Sequence, residues 1–296
     1  MGYRTDLALE RKEILEEEGG RIEDIEGIIY EKNEYKEDIS VTSIEITNED
    51  AAMKMMKPIG KYITIEVEGI LEEQDDIKKN AAELLSKELS KMIQKKYDTK
   101  VLVAGLGNKM VTPDSLGPET VSKVYITRHL FTMTGADGDD SVSCVSCIIP
   151  GVMATTGIET AETIRKAVEI TNPDLVIIID SLAARNIERV STTIQLTNTG
   201  ISPGSGMGNN RVGINQKSIG TEVIAIGVPT VIDVKTVIRD SLKENMSEAK
   251  VIDEYIDKYE EQMIVTSTDI DAIVKDFSEV IAKGINITLH PGIYLH

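Results

Sequence analysis

The spacing of apolar residues changes along the chain, and the change separates an N-terminal part from the rest. Before about residue 70, helical spacing occurs at residues 7–18, and extended patterns occur at residues 21–32, 39–47 and 61–69. Between Ile63 and Val67 every second residue is apolar, which is typical of a strand with one buried face. The pattern predicts an N-terminal α+β layer whose buried face packs against another part of the protein.

Residues 72–96 have a long amphipathic pattern that predicts a single connecting helix, and the spacing of apolar residues changes after it. Near-continuous apolar runs then occur at residues 99–105, 142–150, 174–180 and 222–227, separated by helical patterns at residues 117–131, 158–171 and 233–245. This alternation predicts an α/β, doubly wound and mostly parallel sheet with helices on both faces. We assign residues 7–97 to the N-terminal layer with its helix and residues 98–296 to the α/β core.

Charge excludes several classes of partner. The chain has 32 Lys and Arg against 50 Asp and Glu, a formal net charge of −18, whereas proteins that bind nucleic acid neutralise phosphates with cations. The first residues do not form a basic segment followed by an apolar one, and no apolar run reaches the length of a membrane span. We therefore expect no direct nucleic-acid partner, no membrane partner and a cytoplasmic location.

Cofactor and metal motifs are weak. Gly105-Leu-Gly107 follows an apolar run, but Met110 stands where a dinucleotide-binding loop has its third glycine. Cys144 and Cys147 form a single C-x-x-C inside a strand-like segment, without the second pair of a zinc site. The chain has only three histidines, and none follows a predicted strand, which disfavours a His-activated nucleophile. We expect no cofactor and no bound metal.

Carboxylates are the remaining catalytic candidates. Asp180 ends a buried apolar run, and Asp114 lies in the loop that follows the run ending at Gly105. The carboxyl ends of parallel strands form the ligand-binding edge of an open α/β sheet. Two carboxyl groups close together in a partly dry site share one proton, as in an acid protease. The alternative is that each aspartate caps a helix N-terminus.

Long segments of the chain resemble the germination proteases of spore-forming bacteria. The matching motifs are Arg4-Thr-Asp-Leu-Ala8, Gly105-Leu-Gly-Asn108, Val111-Thr-Pro-Asp-Ser-Leu-Gly-Pro118, Pro150-Gly-Val-Met-Ala-Thr-Thr-Gly-Ile-Glu-Thr160, Asp180-Ser-Leu-Ala-Ala-Arg-Asn-Ile-Glu-Arg-Val190, Thr193-Ile-Gln195, Asn198-Thr-Gly-Ile201, Pro203-Gly-Ser-Gly206 and Ile226-Gly-Val-Pro-Thr-Val231. They occur in this order over most of the chain.

The resemblance implies an atypical aspartic endopeptidase that degrades small acid-soluble spore proteins, with Asp114 and Asp180 as its two essential aspartates. It also implies a zymogen that trims its own N-terminus at Asp6–Leu7, so that residues 1–6 form a propeptide. A homotetramer located in the spore core, with small acid-soluble spore proteins as its partners, is expected from the same resemblance.

Supporting residues follow from this activity. An acidic residue before the cut needs a cationic partner, and Arg185, Arg189 and Arg211 lie in or beside the matching motifs. The alternative for Arg185 and Arg189 is pairing with Glu188 or with backbone carbonyls. Glycine-rich loops offer backbone N–H groups for a developing oxyanion, and we predict such loop support at three positions. These are Asn108, Gly151 and Gly204.

Two other classes stay open. The predicted fold also resembles that of hydrogenase maturation endopeptidases, in which metal-binding acids occupy the positions that match Asp114 and Asp180. A metal-dependent endopeptidase of that kind is one alternative, although no histidine of this chain lies in a matching motif. The other is a binding module without catalytic activity.

Overall fold

The computed structural model describes residues 5–36, 38–71, 75–93, 99–134, 141–204, 211–242 and 263–294. Nine strands form one sheet within these residues: β1 Ile28–Lys36, β2 Ile39–Ile46, β3 Gly60–Val67, β4 Lys100–Gly105, β5 Cys144–Ile148, β6 Leu175–Ala184, β7 Thr193–Thr197, β8 Glu222–Asp233 and β9 Ile264–Val265. Their order is β1-β2-β3-β7-β8-β6-β4-β5, and β9 pairs with the end of β8.

Helices connect and cover the strands. In the described residues they are α1 Ala8–Glu17, α2 Glu49–Met55, α3 Asp75–Met92, α4 Leu116–Val121, α5 Arg128–Thr134, α6 Met153–Thr156, α7 Thr160–Thr171, α8 Gln216–Ile219, α9 Val234–Leu242, α10 Ile270–Leu289 and α11 Pro291–Tyr294. Single 3₁₀ turns lie at Ile22–Asp24, Thr112–Asp114 and Ile187–Arg189. None of these helices combines the length and the hydropathy needed to cross a bilayer.

The four apolar runs of the core form the parallel part of the sheet, so this prediction is confirmed. β5, β4, β6 and β8 are neighbours in that order and pair in parallel. β6 is buried over almost its whole length because both of its faces are covered. Its Val and Ile residues favour an extended backbone and fill the space between the layers.

Helices cover both faces of this sheet, as predicted. On one face, side chains such as Val103 and Ile177 form a large apolar cluster with α3, α4 and α10, which includes the fully buried Phe277. On the other face, Leu102 and Ile178 pack against α7 and α8. Alternate residues of each strand therefore enter different cores, as the period of two in a strand requires.

The N-terminal layer and the core share a single sheet. β1, β2 and β3 form an antiparallel meander, and β7 joins β3 to β8 with antiparallel pairing on both sides. A separate apolar cluster that includes Ile44 and Met55 packs β2 and β3 against α1 and α2. The fold class is thus the predicted α/β type, with an antiparallel extension that continues the parallel sheet.

Several predicted elements differ in their bounds. Residues 21–27 do not form a strand: Ile22 begins a 3₁₀ turn, Ile25 follows it, and both side chains anchor the turn in the N-terminal core. The helix predicted at residues 117–131 is two helices, α4 and α5. The break is held by Asn286 of α10, whose side chain accepts from the N–H of Tyr125 at 2.9 Å and donates to the carbonyl of Lys123 at 3.1 Å.

Unequal strand lengths create an open edge beside the site. β4 pairs with β6 only as far as Ile179, but β6 continues to Ala184. On its other side, the extension of β6 stays paired with β8. Within the described sheet, the backbone of β6 beyond Ile179 therefore has no strand partner on this side, where another extended segment can bind.

Candidate active site

Asp180 lies where the buried part of β6 meets this open edge. The residue is 6% exposed, and one carboxylate oxygen accepts from the N–H of Ser181 at 2.9 Å. Burial raises the pKa of Asp180 well above its usual value, and the charges of Asp114 and Asp6 raise it further. Asp180 is therefore a carboxyl group that tends to keep its proton.

Asp114 ends a 3₁₀ turn that is hydrogen-bonded to β8 and to the loop that follows β4. The hydroxyl of Thr230 on β8 donates to the carbonyl of Pro113 at 2.7 Å, and the N–H of Asn108 donates to the carbonyl of Asp114 at 2.8 Å. Gly107 has a φ of +108°, and a Cβ added there would lie 2.0 Å from the carbonyl oxygen of Asp114. Glycine is thus required for this approach of the loop to the aspartate.

The two aspartates have different tendencies to ionise. Burial raises the pKa of Asp114 to about 6, and a hydrogen bond from the backbone of Asn108 opposes the rise. Asp180 is more deeply buried and also feels the charge of Asp114. Asp114 therefore ionises first, and its charge then favours the protonated form of Asp180.

Both aspartates line one cavity of about 360 Å³, called here the acidic cavity, whose wall also includes Asp6, Gly204 and Arg211. The fold therefore places these five residues, each of which was a site candidate from the sequence, around one cavity. The buried hydroxyl of Ser181 lines the same cavity and has no hydrogen-bond partner among the described residues. It is an additional polar group that sequence reasoning did not identify.

The segment around Asp6 pairs with the open edge of β6. The N–H of Asp6 donates to the carbonyl of Ala183 at 2.9 Å, and the N–H of Ala183 donates to the Asp6 carboxylate, also at 2.9 Å. The next residue, Leu7, is fully buried. Because Asp6 also lines the acidic cavity, the peptide bond predicted to be cut lies beside that cavity.

Two side chains that sequence reasoning missed bind the carbonyl oxygen of Asp6. The Nζ of Lys57 donates to it at 2.7 Å, and the Nε2 of Gln195 at 3.2 Å. Gln195 lies in one of the matching motifs but was assigned no role from the sequence, and Lys57 lies in no matching motif. Their convergence depends on contacts between residues far apart in the sequence.

Helix α1 is fixed to the end of β6 by Glu10, which is fully buried. Its carboxylate accepts from the N–H groups of Arg185 and Asn186, each at 2.8 Å, and from the hydroxyl of Thr5. Burial raises the pKa of Glu10, and these hydrogen bonds act in the opposite direction. The contacts hold the chain on both sides of Asp6.

The three predicted arginines have different surroundings. Arg185 binds Glu17 of α1 and Asp240 of α9, and Arg189 binds Glu13 of α1 and Glu66 of β3. Both therefore help to attach α1 to the sheet through carboxylates other than the predicted alternative, Glu188. Arg211 is the one at the wall of the acidic cavity, with its Nη1 3.6 Å from Glu159.

The loop positions predicted to support an oxyanion are also spread out. Gly204 lines the acidic cavity. The side chain of Asn108 instead accepts from the N–H of Met110 at 3.0 Å, and the carbonyl of Gly151 accepts from Thr160 at 3.2 Å. In the described parts of the chain, no three His, Cys, Asp or Glu side chains are grouped so that they could hold a metal ion.

Fold and site together define a class: an α/β protein with two acids at the carboxyl ends of parallel strands and an extended segment lying beside them. The chain matches the family model of germination protease over residues 6–248. It is 42% identical to a germination protease of Caldanaerobacter subterraneus subsp. tengcongensis, with 99% of this chain and 96% of the relative covered. A germination protease of Clostridium perfringens is also 42% identical, with the same shares covered.

The chain belongs to the germination protease family and is therefore a spore protease. Among solved structures, a NiFe hydrogenase maturation protease of Thermococcus kodakarensis KOD1 is similar at a TM-score of 0.37 and 13% identity, covering 67% of this chain and 99% of that one. A likeness of this size does not bear on metal use or mechanism.

Proposed function

We propose that this protein is an atypical aspartic endopeptidase that begins the degradation of small acid-soluble spore proteins during germination and cuts after an acidic residue. The observation that carries the proposal is one cavity with two carboxyl groups of raised pKa and an Asp–Leu peptide bond beside it. Family membership supports the peptidase activity.

The chemistry follows from the order in which the two acids ionise. Ionised Asp114 takes a proton from a water molecule as the water oxygen attacks the carbonyl carbon, and protonated Asp180 gives its proton to the leaving nitrogen. The C–N bond breaks, a new carboxyl group and a new amine form, and one proton exchange between the two acids restores the starting state.

Substrate binding uses the open edge of β6. An extended peptide pairs with Ala183 as Asp6 does, so the backbone gives affinity and the residue before the cut presents its carboxylate to the N–H of Ala183. Arg211 lies at the cavity wall, where its charge favours an acidic side chain. The earlier idea that Arg185 or Arg189 reads this carboxylate has less support, because both bind carboxylates that hold α1.

Self-processing of a zymogen at Asp6–Leu7 follows from the same pose, because the chain itself supplies the extended segment. Residues 1–6 are then the propeptide. After the cut, Glu10 still attaches α1 to the end of β6 through its backbone hydrogen bonds. We also propose, from the family resemblance, a homotetramer that acts in the spore core without a cofactor; light scattering of the purified protein measures the assembly.

The test is cleavage of a spore-protein peptide by the wild type, Asp114→Asn and Asp180→Asn, each with and without a chelator. We expect each substitution to lower kcat about 10²-fold to 10⁴-fold, which is the usual contribution of a general acid or base. Activity is expected to survive chelation. Full activity in either variant contradicts the acid pair, whereas loss on chelation with recovery by a divalent metal supports the metal-dependent alternative.

A further inference from the structure

We infer that Lys57 and Gln195 form the oxyanion-binding pair of this site: they bind the carbonyl oxygen of the residue before the cut and stabilise the charge that develops there. The inference rests on the proposed function, because it assigns a role in the same cleavage. It replaces the backbone groups expected at Asn108, Gly151 and Gly204 with two side chains.

The first support is the geometry at the carbonyl oxygen of Asp6. The Nζ of Lys57 lies 2.7 Å away and the Nε2 of Gln195 lies 3.2 Å away, so two donors converge on one acceptor. The amide of Gln195 is oriented by its other end, since its Oε1 accepts from the N–H of Ala8 at 2.7 Å. The N–H groups of Gln195 must therefore face Asp6.

The second support is that Asp6 lines two cavities. One is the acidic cavity with Asp114 and Asp180. The other is a cavity of about 270 Å³, the side cavity, whose wall includes Lys57 and Gln195. Water attack from the acidic cavity pushes negative charge onto the carbonyl oxygen, which the donors of the side cavity already bind.

The local backbone brings Lys57 to this place. α2 ends at Met55, the next residue, Met56, has a left-handed backbone with φ of +50°, and the N–H of Lys57 then bonds back to the carbonyl of Ala52 at 3.2 Å. This reversal at the helix end turns the chain toward Asp6. The sequence around Lys57 contains no motif that would identify this lysine as a site residue.

The charge state of Lys57 fits a role in binding an oxyanion. Burial lowers the pKa of Lys57 to about 8, while the charge of Asp6 raises it, that of Arg11 lowers it and that of Glu10 raises it. At neutral pH the amine is mostly an ammonium, and a charged donor is stronger than a neutral one. Deprotonation above about pH 8 removes this charge, so activity should fall there.

The experiment compares Lys57→Met, Lys57→Arg and Gln195→Leu with Lys54→Met, an exposed lysine of α2 that serves as the matched control. Cleavage of a spore-protein peptide gives kcat and KM, and mass spectrometry of the N-terminus gives the rate of self-cleavage. We expect Lys57→Met and Gln195→Leu each to lower kcat about 10²-fold to 10³-fold with little change in KM, and both to slow self-cleavage. Lys54→Met should equal the wild type.

If Lys57→Met does not fold, Lys57→Arg tests whether the charge of Lys57 supports catalysis. Arginine keeps its charge at high pH, so the alkaline fall in kcat near pH 8 should move upward in this variant. An unchanged alkaline limb, or wild-type kcat in Lys57→Met, overturns the inference. Asp180→Asn is assayed in parallel: if it is inactive while the Lys57 variants behave as wild type, the oxyanion pair fails and the acid pair stands.

Discussion

Replacing Asp114 with asparagine should make the folded protein more stable at neutral pH while it slows the chemistry. The pKa of Asp114 rises from 3.8 to about 6 because the carboxyl group is partly buried. One pKa unit corresponds to about 1.4 kcal/mol, so ionised Asp114 costs the folded state about 3 kcal/mol. Solvent screening of this partly exposed side chain reduces the figure to about 1–2 kcal/mol.

The sign and the pH window follow from linkage. A carboxyl group with a raised folded pKa contributes stability that is fully present below its unfolded pKa of 3.8 and is lost as pH rises through about 6. Asparagine does not ionise, so Asp114→Asn avoids this loss. The difference in unfolding free energy between variant and wild type should thus be near zero at about pH 4 and largest above about pH 6.

Thermal unfolding of the wild type, Asp114→Asn and Asp24→Asn measures the effect. In a chain of this length, 1 kcal/mol corresponds to roughly 2 °C in Tm, so Asp114→Asn should melt about 2–4 °C above the wild type at about pH 8 and equal to it at about pH 4. Asp24 is exposed, so its variant should show no such difference. A Tm gain that does not depend on pH, or a loss at pH 8, refutes the reasoning.

Three further predictions concern Glu10, Gly107 and the ionisation of Asp114. Glu10→Ala removes the carboxylate that accepts from one buried and one partly buried backbone N–H and should cost about 3 kcal/mol in urea unfolding, whereas Glu10→Gln, which keeps one acceptor, should cost less. Gly107→Ala strains a left-handed backbone and also forces the added Cβ against Asp114, so it should abolish cleavage, whereas Gly157→Ala strains the backbone in the same way (φ +72°) but has open space around its Cβ and should keep it. In wild-type kinetics, kcat should fall as pH drops through about 6, because Asp114 loses its charge; a flat profile there contradicts its role as base.

The parallel core was predictable because its strands are long apolar runs that need cover on both faces. β7 was missed, since Thr193–Thr197 contains Thr and Gln and has no apolar run, although all five residues are buried. Its place between β3 and β8 depends on pairing with distant strands. The break between α4 and α5 could likewise not be predicted, because it depends on a contact with Asn286, which is distant in the sequence.

At the site, the position of the two aspartates around one cavity was predictable, because Asp180 ends a predicted core strand and Asp114 lies in the loop after another; their catalytic role stays a prediction. Lys57 was not predictable: a single lysine after a short helix carries no local signal, and only the fold brings it to Asp6. Arg185 and Arg189 stand in matching motifs, yet they bind α1 and other elements. A shared motif therefore does not tell whether a residue takes part in catalysis or attaches a helix to the sheet.

The most direct test of the account is the protonation state of the two acids. Protein labelled at the aspartate carboxyl carbons is titrated by NMR, and Asp114→Asn and Asp180→Asn assign the two resonances. The account predicts that Asp114 titrates near pH 6 and that Asp180 keeps its proton to higher pH. Ionisation of Asp180 before Asp114, or of both near pH 4 as in unperturbed aspartates, would contradict it.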